Sequence, residues 1–248
     1  MNKKIGCDAI KLINDYYKNA DIPVGIAERY ALNVDEFYEE FYAKFHYADG
    51  FPGWGEKPTF YKILNKLDLG KYKNAVYRSA KEVIIETFEK SEDKSVTAVC
   101  IGQANNIADV LETNGALFKK KVKRVVIMCG NFNDYDYEYR LGDMCWKGEF
   151  NVILDVKSMQ RLFAERALPI FVLDFNQGFD VLSCSPLQNQ SDNPVKTAYF
   201  VHGNGKNFNL PSWDIMALMF ASGVFDDMFS LGEKGSVSID DNGKTTFK

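Results

Sequence analysis

Carboxylate and amide side chains at two separated places in the sequence have the chemistry to hold hydroxyl groups of a ligand. Glu149 and Asn151 are two residues apart at the start of a predicted strand, so their side chains should share one side. Asp214 stands at the predicted start of an apolar helix, where a negative charge is favoured. Such groups can also stabilise positive charge that develops during a reaction. Taken alone, Glu149 also fits a solvated charge at a strand edge, and Asp214 an ordinary helix-start charge.

Other potentially reactive side chains do not form a recognisable site. The five cysteines lack C-x-x-C spacing and are therefore expected to be reduced thiols. Cys100 and Cys129 lie in apolar runs and are interpreted as small buried hydrophobic residues. With only His46 and His202 in the chain, a histidine-rich zinc site is nearly excluded.

Composition narrows the classes of partner. The 248 residues carry a net charge of −4, with acidic and basic residues mixed, which argues against a nucleic-acid partner. No stretch approaches the roughly 20 apolar residues of a membrane span. The N-terminal residues lack the apolar core of a signal peptide, so a cytoplasmic protein is expected. A signal peptide in an upstream segment stays open as an alternative.

Helices and buried strands alternate through most of the chain. Helical spacing of apolar residues predicts helices at 5–19, 74–88, 106–111, 156–167 and 210–224, the second of them capped by Asn74. Apolar runs predict strands at 95–101, 122–129, 151–154 and 169–175, and a hairpin within 236–247. The alternation predicts an α/β fold, with a mostly parallel open sheet, helices on both faces and a C-terminal β-hairpin.

Parallel sheets bind ligands outside the carboxyl ends of their strands. That rule selects the segments 102–106, 128–132 and 174–178 as candidate ligand-binding loops. One domain spanning 1–248 is the simplest interpretation, because no linker or repeat is visible. The aromatic-rich segment 30–72 fits either a functional connection or an aromatic lid packed on the core.

Five segments in order resemble one protein family, the nucleoside hydrolases. They are DIPVG at 21–25, VTAVCIGQANNIADVL at 96–111, KVKRVVIMCGNF at 121–132, GEFNVILDVKSMQRLFAERALPIFVLDF at 148–175 and SWDIMALMFA at 212–221. Each match alone is weak, whereas five in the same order are fairly specific. The resemblance implies a Rossmann-like nucleoside-hydrolase fold, a nucleoside or other ribose-containing ligand, and hydrolysis of an N-glycosidic bond. Family members often form dimers or tetramers, so a homo-oligomer is a fair expectation.

The resemblance also assigns roles to individual residues. Asp214 matches a metal-binding aspartate of the family, and Asn105 matches a threonine whose backbone carbonyl binds the metal, which is calcium. Glu149 and Asn151 match the E-F-N pair that holds ribose hydroxyls. Met128 matches a methionine near the sugar, with burial in the core as the other interpretation.

Two further positions complete the predicted ligand contacts but differ in type from the family. Asp143 falls where the family often has asparagine; an aspartate there could still accept a hydrogen bond from a hydroxyl. Trp213 replaces the histidine that assists the leaving base, in a Ser-Trp-Asp variant known from a bacterial branch of related proteins. Indole cannot donate a ring proton to a leaving group at neutral pH, but it can stack or hydrogen-bond.

A further departure concerns the family's main metal ligands. The family opens with a strand carrying D-x-D-x-x-x-D-D, which holds calcium and supplies the general base. This pattern does not occur in the 248 residues, and Asp134, Asp136 and Glu138 have the wrong spacing and fit a solvated charge run. The expectation is therefore a domain lacking its first βαβ unit, with an incomplete calcium site, no general base and little or no catalysis.

Two alternatives remain from the sequence. One is a non-catalytic protein of the same fold that binds a sugar, a nucleoside or a partner protein. The other is a truncated product that folds poorly because a missing strand exposes sheet edge and apolar surface.

Overall fold

The computed structural model describes residues 3–29, 63–132, 138–141, 144–203, 205 and 209–248. Most of the aromatic-rich segment 30–72, together with Asp134, Asp136 and Asp143, lies outside the described residues. The chain divides into two compact units, one formed by 1–83 and 182–210 and the other by 84–181 and 211–248.

The regular elements follow the chain as alternating helices and strands. The α-helices are α1 (Lys3–Tyr16), α2 (Ala80–Lys90), α3 (Asn105–Lys121), α4 (Phe150–Leu154), α5 (Val156–Phe163), α6 (Phe175–Phe179), α7 (Pro194–His202) and α8 (Trp213–Ser222). The strands are β1 (Val96–Cys100), β2 (Val122–Met128), β3 (Glu138–Leu141), β4 (Met144–Lys147), β5 (Ile170–Leu173), β6 (Leu182–Ser183), β7 (Leu210–Pro211), β8 (Val237–Ile239) and β9 (Thr245–Phe247). Short 3-10 helices lie at Gly70–Tyr72, Ser185–Asn189 and Asp226–Met228.

A parallel sheet with the order β1-β2-β5 forms the centre of the second unit. Val126 of β2 pairs with Val99 on one side and with Phe171 on the other. All three strands end at the same edge, so the loops that follow them lie side by side. The predicted α/β fold with a parallel sheet is confirmed.

Side chains of β2 alternate between two hydrophobic clusters, as the two-residue period of a strand requires. Val125, Ile127 and Cys129 pack in a cluster that contains Phe118 and Met159. The other cluster contains Val126, Met128, Leu173 and Ala217, and Trp213 and Phe220 pack against it. Helices therefore cover both faces of the sheet, as predicted from the continuous apolar runs.

The strand predicted at 151–154 is wrong, because this segment forms the short helix α4. Its apolar residues Val152, Ile153 and Leu154 are consecutive and all buried, a pattern that fits either a buried strand or a buried helix. The side chain of Glu149 accepts a hydrogen bond from the backbone N–H of Asn151 and so caps the helix. The shared orientation expected for Glu149 and Asn151 as strand residues therefore does not apply.

Helix α2 begins at Ala80, so the prediction that Asn74 caps it is wrong. Ser79 and Glu82 bond reciprocally: the N–H of Ser79 donates to the Glu82 carboxylate, and the N–H of Glu82 donates to the Ser79 hydroxyl. This capping box satisfies the N–H groups of Ser79 and Glu82 at once. With a cap at Asn74, both groups would need other acceptors. Val76, counted as part of the helix face, is 94% exposed.

Two other helix predictions are right in type but differ in length. Helix α3 continues to Lys121, with a kink at Asn114, instead of ending near residue 111. Helix α8 starts at Trp213 rather than 210, because Leu210–Pro211 is extended and forms β7.

The C-terminal hairpin is confirmed. Strands β8 and β9 pair antiparallel, with Ser238 opposite Thr246. Gly243 has φ +87, a conformation that glycine adopts without strain. The Asp240 carboxylate accepts from the backbone N–H groups of Asn242 and Lys244, at 2.9 Å each, and so fixes the turn.

In the first unit, helix α1 confirms the helix predicted at 5–19. Asp8 is buried on its inner side, where it accepts hydrogen bonds from Lys4 Nζ and from the hydroxyl of Tyr77, each at 2.9 Å. Asn193 caps α7 and donates to the hydroxyl of Tyr17 on the segment after α1.

Among the described residues of the whole chain, no helix has both the length and the apolarity needed to cross a membrane.

Candidate functional site

Glu149 lies at the carboxyl edge of the sheet and is almost fully buried, with 5% of its surface exposed. The backbone N–H of Gly130, just after β2, donates to its Oε2 at 3.1 Å, and the N–H of Asn151 donates to its Oε1 at 2.9 Å. The carboxylate is thus held between the loop that ends β2 and the start of α4. Each oxygen retains further acceptor capacity for a ligand hydroxyl.

Burial raises the pKa of Glu149 to about 7, because desolvation penalises the charged form. The backbone hydrogen bonds from Asn151, Gly130 and Val152 favour the charged form and oppose this rise, whereas the negative charge of Asp214 adds to it. Near neutral pH, Glu149 therefore exchanges readily between a carboxylic acid and a carboxylate.

Asn151 is the first-turn residue of α4 and turns its amide toward the end of β2. Its Nδ2 donates to the backbone carbonyl of Met128 and lies at the same distance, 3.2 Å, from Met128 Sδ. Met128 itself is buried at 3% exposure and belongs to the cluster under α8. The structure therefore brings Glu149, Asn151 and Met128 together, and Met128 is a core residue in contact with the site.

Asp214 occupies the first turn of α8, at the same edge of the sheet. Its side chain is open to solvent, yet the surrounding protein desolvates it partly and raises its pKa to about 6. It is close enough to Glu149 and to Cys100 for its charge to raise the pKa of both. Unlike Glu149, Asp214 is accessible to a ligand or ion from solvent.

Trp213 precedes Asp214 but is turned toward helix α6. Its Nε1–H donates to the carbonyl of Phe175 at 2.8 Å, and its ring stacks on the Phe175 ring at a centroid distance of 5.2 Å. A Cβ added at Gly178 would lie 2.5 Å from Trp213 Cδ1, so only glycine leaves room for the indole. The indole N–H is thus committed to the protein, and Trp213 fixes the start of α8 against α6.

Asn105 is buried and begins helix α3. Because it lies inside the helix, its carbonyl is directed along the helix axis toward the following turn. To bind calcium as expected, this carbonyl would have to do so while it also accepts an intrahelical hydrogen bond. The role stays a prediction.

A calcium ion takes six to eight oxygen ligands. Within the described part of the chain, no three histidine, cysteine, aspartate or glutamate side chains are grouped so that they could hold a metal ion. Asp214 offers one accessible carboxylate, and both oxygens of Glu149 already accept backbone hydrogen bonds. The described donor set therefore does not fit calcium by itself.

A polar cluster that sequence reasoning did not select lies beside Glu149. Asp174 caps α6, is buried, and accepts from the N–H of Phe132 and from Nδ2 of Asn176. The same Nδ2 donates to Oδ1 of Asn131 at 2.8 Å. The sequence does contain a pattern that could have identified Asp174: an Asp174-x-x-Gln177 capping box directly after an apolar run. This pattern lies in the segment 174–178, which was already predicted to be a ligand-binding loop. These contacts join the loops after β2 and β5.

Solved structures of nucleoside hydrolases resemble this chain in fold. A plant nucleoside hydrolase superposes with a TM-score of 0.66 at 16% identity, covering 99% of this chain and 74% of its own. A purine-preferring ribonucleoside hydrolase from Gardnerella vaginalis gives a TM-score of 0.65 at 15% identity, over 99% and 76%. The type III effector protein XopQ, solved with adenosine diphosphate ribose, gives 0.65 at 13%, over 98% and 74%. At these identities, the likeness shows the fold alone.

No curated protein matches the sequence. The family model described as inosine-uridine preferring nucleoside hydrolase matches residues 6–246, nearly the whole chain. This match includes all five segments on which the sequence resemblance rested, from DIPVG at 21–25 to SWDIMALMFA at 212–221. With the parallel sheet and the polar groups at its carboxyl edge, it leads to one conclusion: the chain belongs to the inosine-uridine preferring nucleoside hydrolase family.

Proposed function

We propose that this protein binds the ribose of a ribonucleoside or related N-riboside at the carboxyl edge of the β1-β2-β5 sheet. The observation that carries the proposal is the position of Glu149, a buried carboxyl group held by backbone N–H groups beside the Asn151 amide and near Asp214. Ribose hydroxyls need closely spaced acceptors and donors, and these three side chains supply both. The reaction class is hydrolysis of the N-glycosidic bond, taken from the family.

Each residue has a distinct part in holding the sugar. As a carboxylate, Glu149 accepts from a ribose hydroxyl, and Asn151 supplies an amide oxygen beside it. Asp214 provides the exposed negative charge, which favours an oxocarbenium-like sugar over a neutral one.

We further propose that hydrolysis by these 248 residues is weak or absent. The family's D-x-D-x-x-x-D-D pattern, which supplies the general base, does not occur in the sequence. Trp213 stands where a histidine would assist the leaving base, and its N–H already donates to the Phe175 carbonyl. Both steps of acid–base assistance thus lack their usual group.

Ligand binding tests the first part of the proposal. Calorimetry at pH 8 with inosine, uridine and ribose should show binding of the ribosides, and Asn151→Ala should weaken it by about tenfold or more. Glu112→Gln, an exposed change on α3, is the matched control and should bind like the wild type. Ribosides that bind Asn151→Ala as tightly as wild type, or that fail to bind wild type, would refute the assignment.

Turnover of a chromogenic riboside, with and without added calcium, tests the second part. We expect a rate close to that of the uncatalysed reaction under both conditions. Robust turnover by the purified 248-residue chain would show that groups in this sequence replace the missing base, and the proposal of weak hydrolysis would then be wrong.

A second candidate is a non-catalytic binding protein of the same fold. The committed indole N–H of Trp213 favours it, and so does the likeness in fold to XopQ, which was solved with adenosine diphosphate ribose. Including adenosine diphosphate ribose in the calorimetry separates the candidates. Tight binding of this ligand that persists without hydrolysis supports the binding protein, whereas cleavage of a bound riboside supports the hydrolase.

A further inference from the structure

The C-terminal hairpin contacts the loop that carries Gly130, one of the residues whose backbone N–H donates to Glu149. The N–H of Asn131 donates to Thr245 Oγ1 at 3.0 Å, and the Thr245 hydroxyl donates to the carbonyl of Asn131 at 3.1 Å. One buried side chain thus satisfies both backbone groups of a residue 114 positions away in sequence. Asn131 directly follows Gly130, whose N–H holds Glu149 Oε2.

Close backbone packing links the same hairpin to the two loops that hold Glu149. Gly130 has φ +81, and a Cβ there would lie 3.3 Å from the Thr245 side chain. A Cβ on Gly148, the residue before Glu149, would lie 2.2 Å from the carbonyl oxygen of Gly243 in the hairpin turn. A Cβ on Gly243 would in turn lie 2.9 Å from Ile153 Cγ2 in α4. The hairpin therefore packs against Gly130, which donates to Glu149, and against Gly148, which precedes it.

The hairpin is itself firmly anchored in the same unit. Gln160 of α5 donates to the Ile239 carbonyl at 3.0 Å, and the Phe132 and Phe247 rings are in contact. A rigid hairpin can hold a loop in place, whereas a mobile one could not. Hydrogen bonds of this kind orient the residues that contact the ligand in binding sites.

We propose that Thr245 is a positioning residue of the ligand site: through Asn131 it holds Gly130 so that its N–H points at the Glu149 carboxyl group. Thr245 acts on the Glu149 carboxyl group through this loop. The effect on ligand binding rests on the proposed function, whereas the effect on the Gly130 amide does not. The two claims can therefore fail separately.

Amide hydrogen exchange, followed residue by residue by NMR, tests the positioning directly. Thr245→Val keeps the shape but removes both hydrogen bonds, so exchange at Gly130 and Asn131 should rise by roughly tenfold while amides of β2 stay protected. Thr245→Ser restores the hydroxyl and should return exchange to within about twofold of wild type. Thr246→Val, on the neighbouring residue of β9, is the matched control and should leave both amides unchanged.

The same variants are then titrated with the riboside that binds wild type best. Thr245→Val should lose affinity roughly in parallel with the faster exchange at Gly130, and Thr245→Ser should recover it. Unchanged exchange at Gly130 in Thr245→Val would overturn the proposal, as would a uniform rise across β2, β8 and β9, which marks general destabilisation. If wild type binds no riboside, the proposed function fails, but the exchange measurement still decides the role of Thr245.

Discussion

At the scale of single residues, Glu149 is a carboxyl group that folding removes from water beside another acidic group. Among the described residues, its hydrogen bonds come from backbone N–H groups, which partly compensate for desolvation but add no full positive charge. Proteins keep such groups mainly where a ligand or reaction needs them. The arrangement therefore reduces stability at high pH and leaves a buried carboxylate at the proposed ribose site.

The pH dependence of unfolding follows from this. The pKa of Glu149 is raised from 4.5 to about 7, so its effect on stability is most favourable below about pH 4.5 and is lost as pH rises to about 7. The difference corresponds to roughly 3 kcal/mol between pH 4.5 and 8. Glu149→Gln should flatten this part of the stability curve, measured by urea unfolding at several pH values.

Glu92→Gln is the matched control, because Glu92 is exposed on the surface. It should reproduce the wild-type pH profile. A Glu149→Gln profile that runs parallel to wild type from pH 4.5 to 8 would mean that Glu149 ionises at its ordinary pKa.

At the scale of elements, the start of α8 is fixed by its contact with α6. The backbone N–H of Ser212 donates to the Gly178 carbonyl, and Trp213 lies directly over Gly178. This contact sets the position of Asp214, the next residue along α8. The Ser-Trp-Asp sequence thus combines an anchor with an accessible carboxylate.

Substitution of Gly178 should disturb this contact. A Cβ in Gly178→Ala would lie within 2.8 Å of both the ring and the backbone of Trp213, and overpacking of this kind destabilises by about 1–3 kcal/mol. Gly115→Ala on α3 meets nothing within 4 Å and should be neutral or stabilising by up to about 1 kcal/mol. Urea unfolding of both variants checks the contrast; equal stabilities would contradict the close contact.

At the scale of the whole molecule, all three residues proposed to contact ribose belong to the unit formed by 84–181 and 211–248. The core of this unit extends to the site. Cys100 is the last residue of β1, and the loop after it leads to Asn105. Cys129 directly follows β2 and precedes Gly130, whose N–H donates to Glu149. Burial raises the pKa of Cys100 to about 11 and raises the pKa of Cys129 well above its usual value. Their thiols therefore report on the integrity of the core next to the proposed ribose site.

Thiol labelling at pH 8, read by peptide mass spectrometry, checks this. Cys184 is partly exposed and should react before Cys100 and Cys129, which should react only at urea concentrations that unfold the unit. A bound riboside should shift that concentration upward. Rapid labelling of Cys129 in native buffer would contradict a closed core beneath the site.

The sequence determined which chemical groups are present and which elements carry them, because apolar periodicity follows directly from burial. The runs at 96–100, 122–128 and 170–173, the hairpin and the start of α8 all appear where that periodicity placed them, to within a few residues. The choice between a strand and a helix for a short apolar run was harder to predict. The apolar run after Glu149 fits a strand or a helix equally well, and the hydrogen bond that the Asn151 N–H donates to the Glu149 carboxylate selects the helix.

Only the tertiary structure decided what surrounds each group. Whether Trp213 faces a ligand or α6 depends on Gly178 and Phe175, and these lie more than thirty residues away in sequence. The link from Thr245 to Asn131 spans 114 positions and leaves no local pattern. Burial of Glu149 likewise results from packing between loops. Such contacts depend on how distant segments meet, and the spacing of residues along one element carries no information about that meeting.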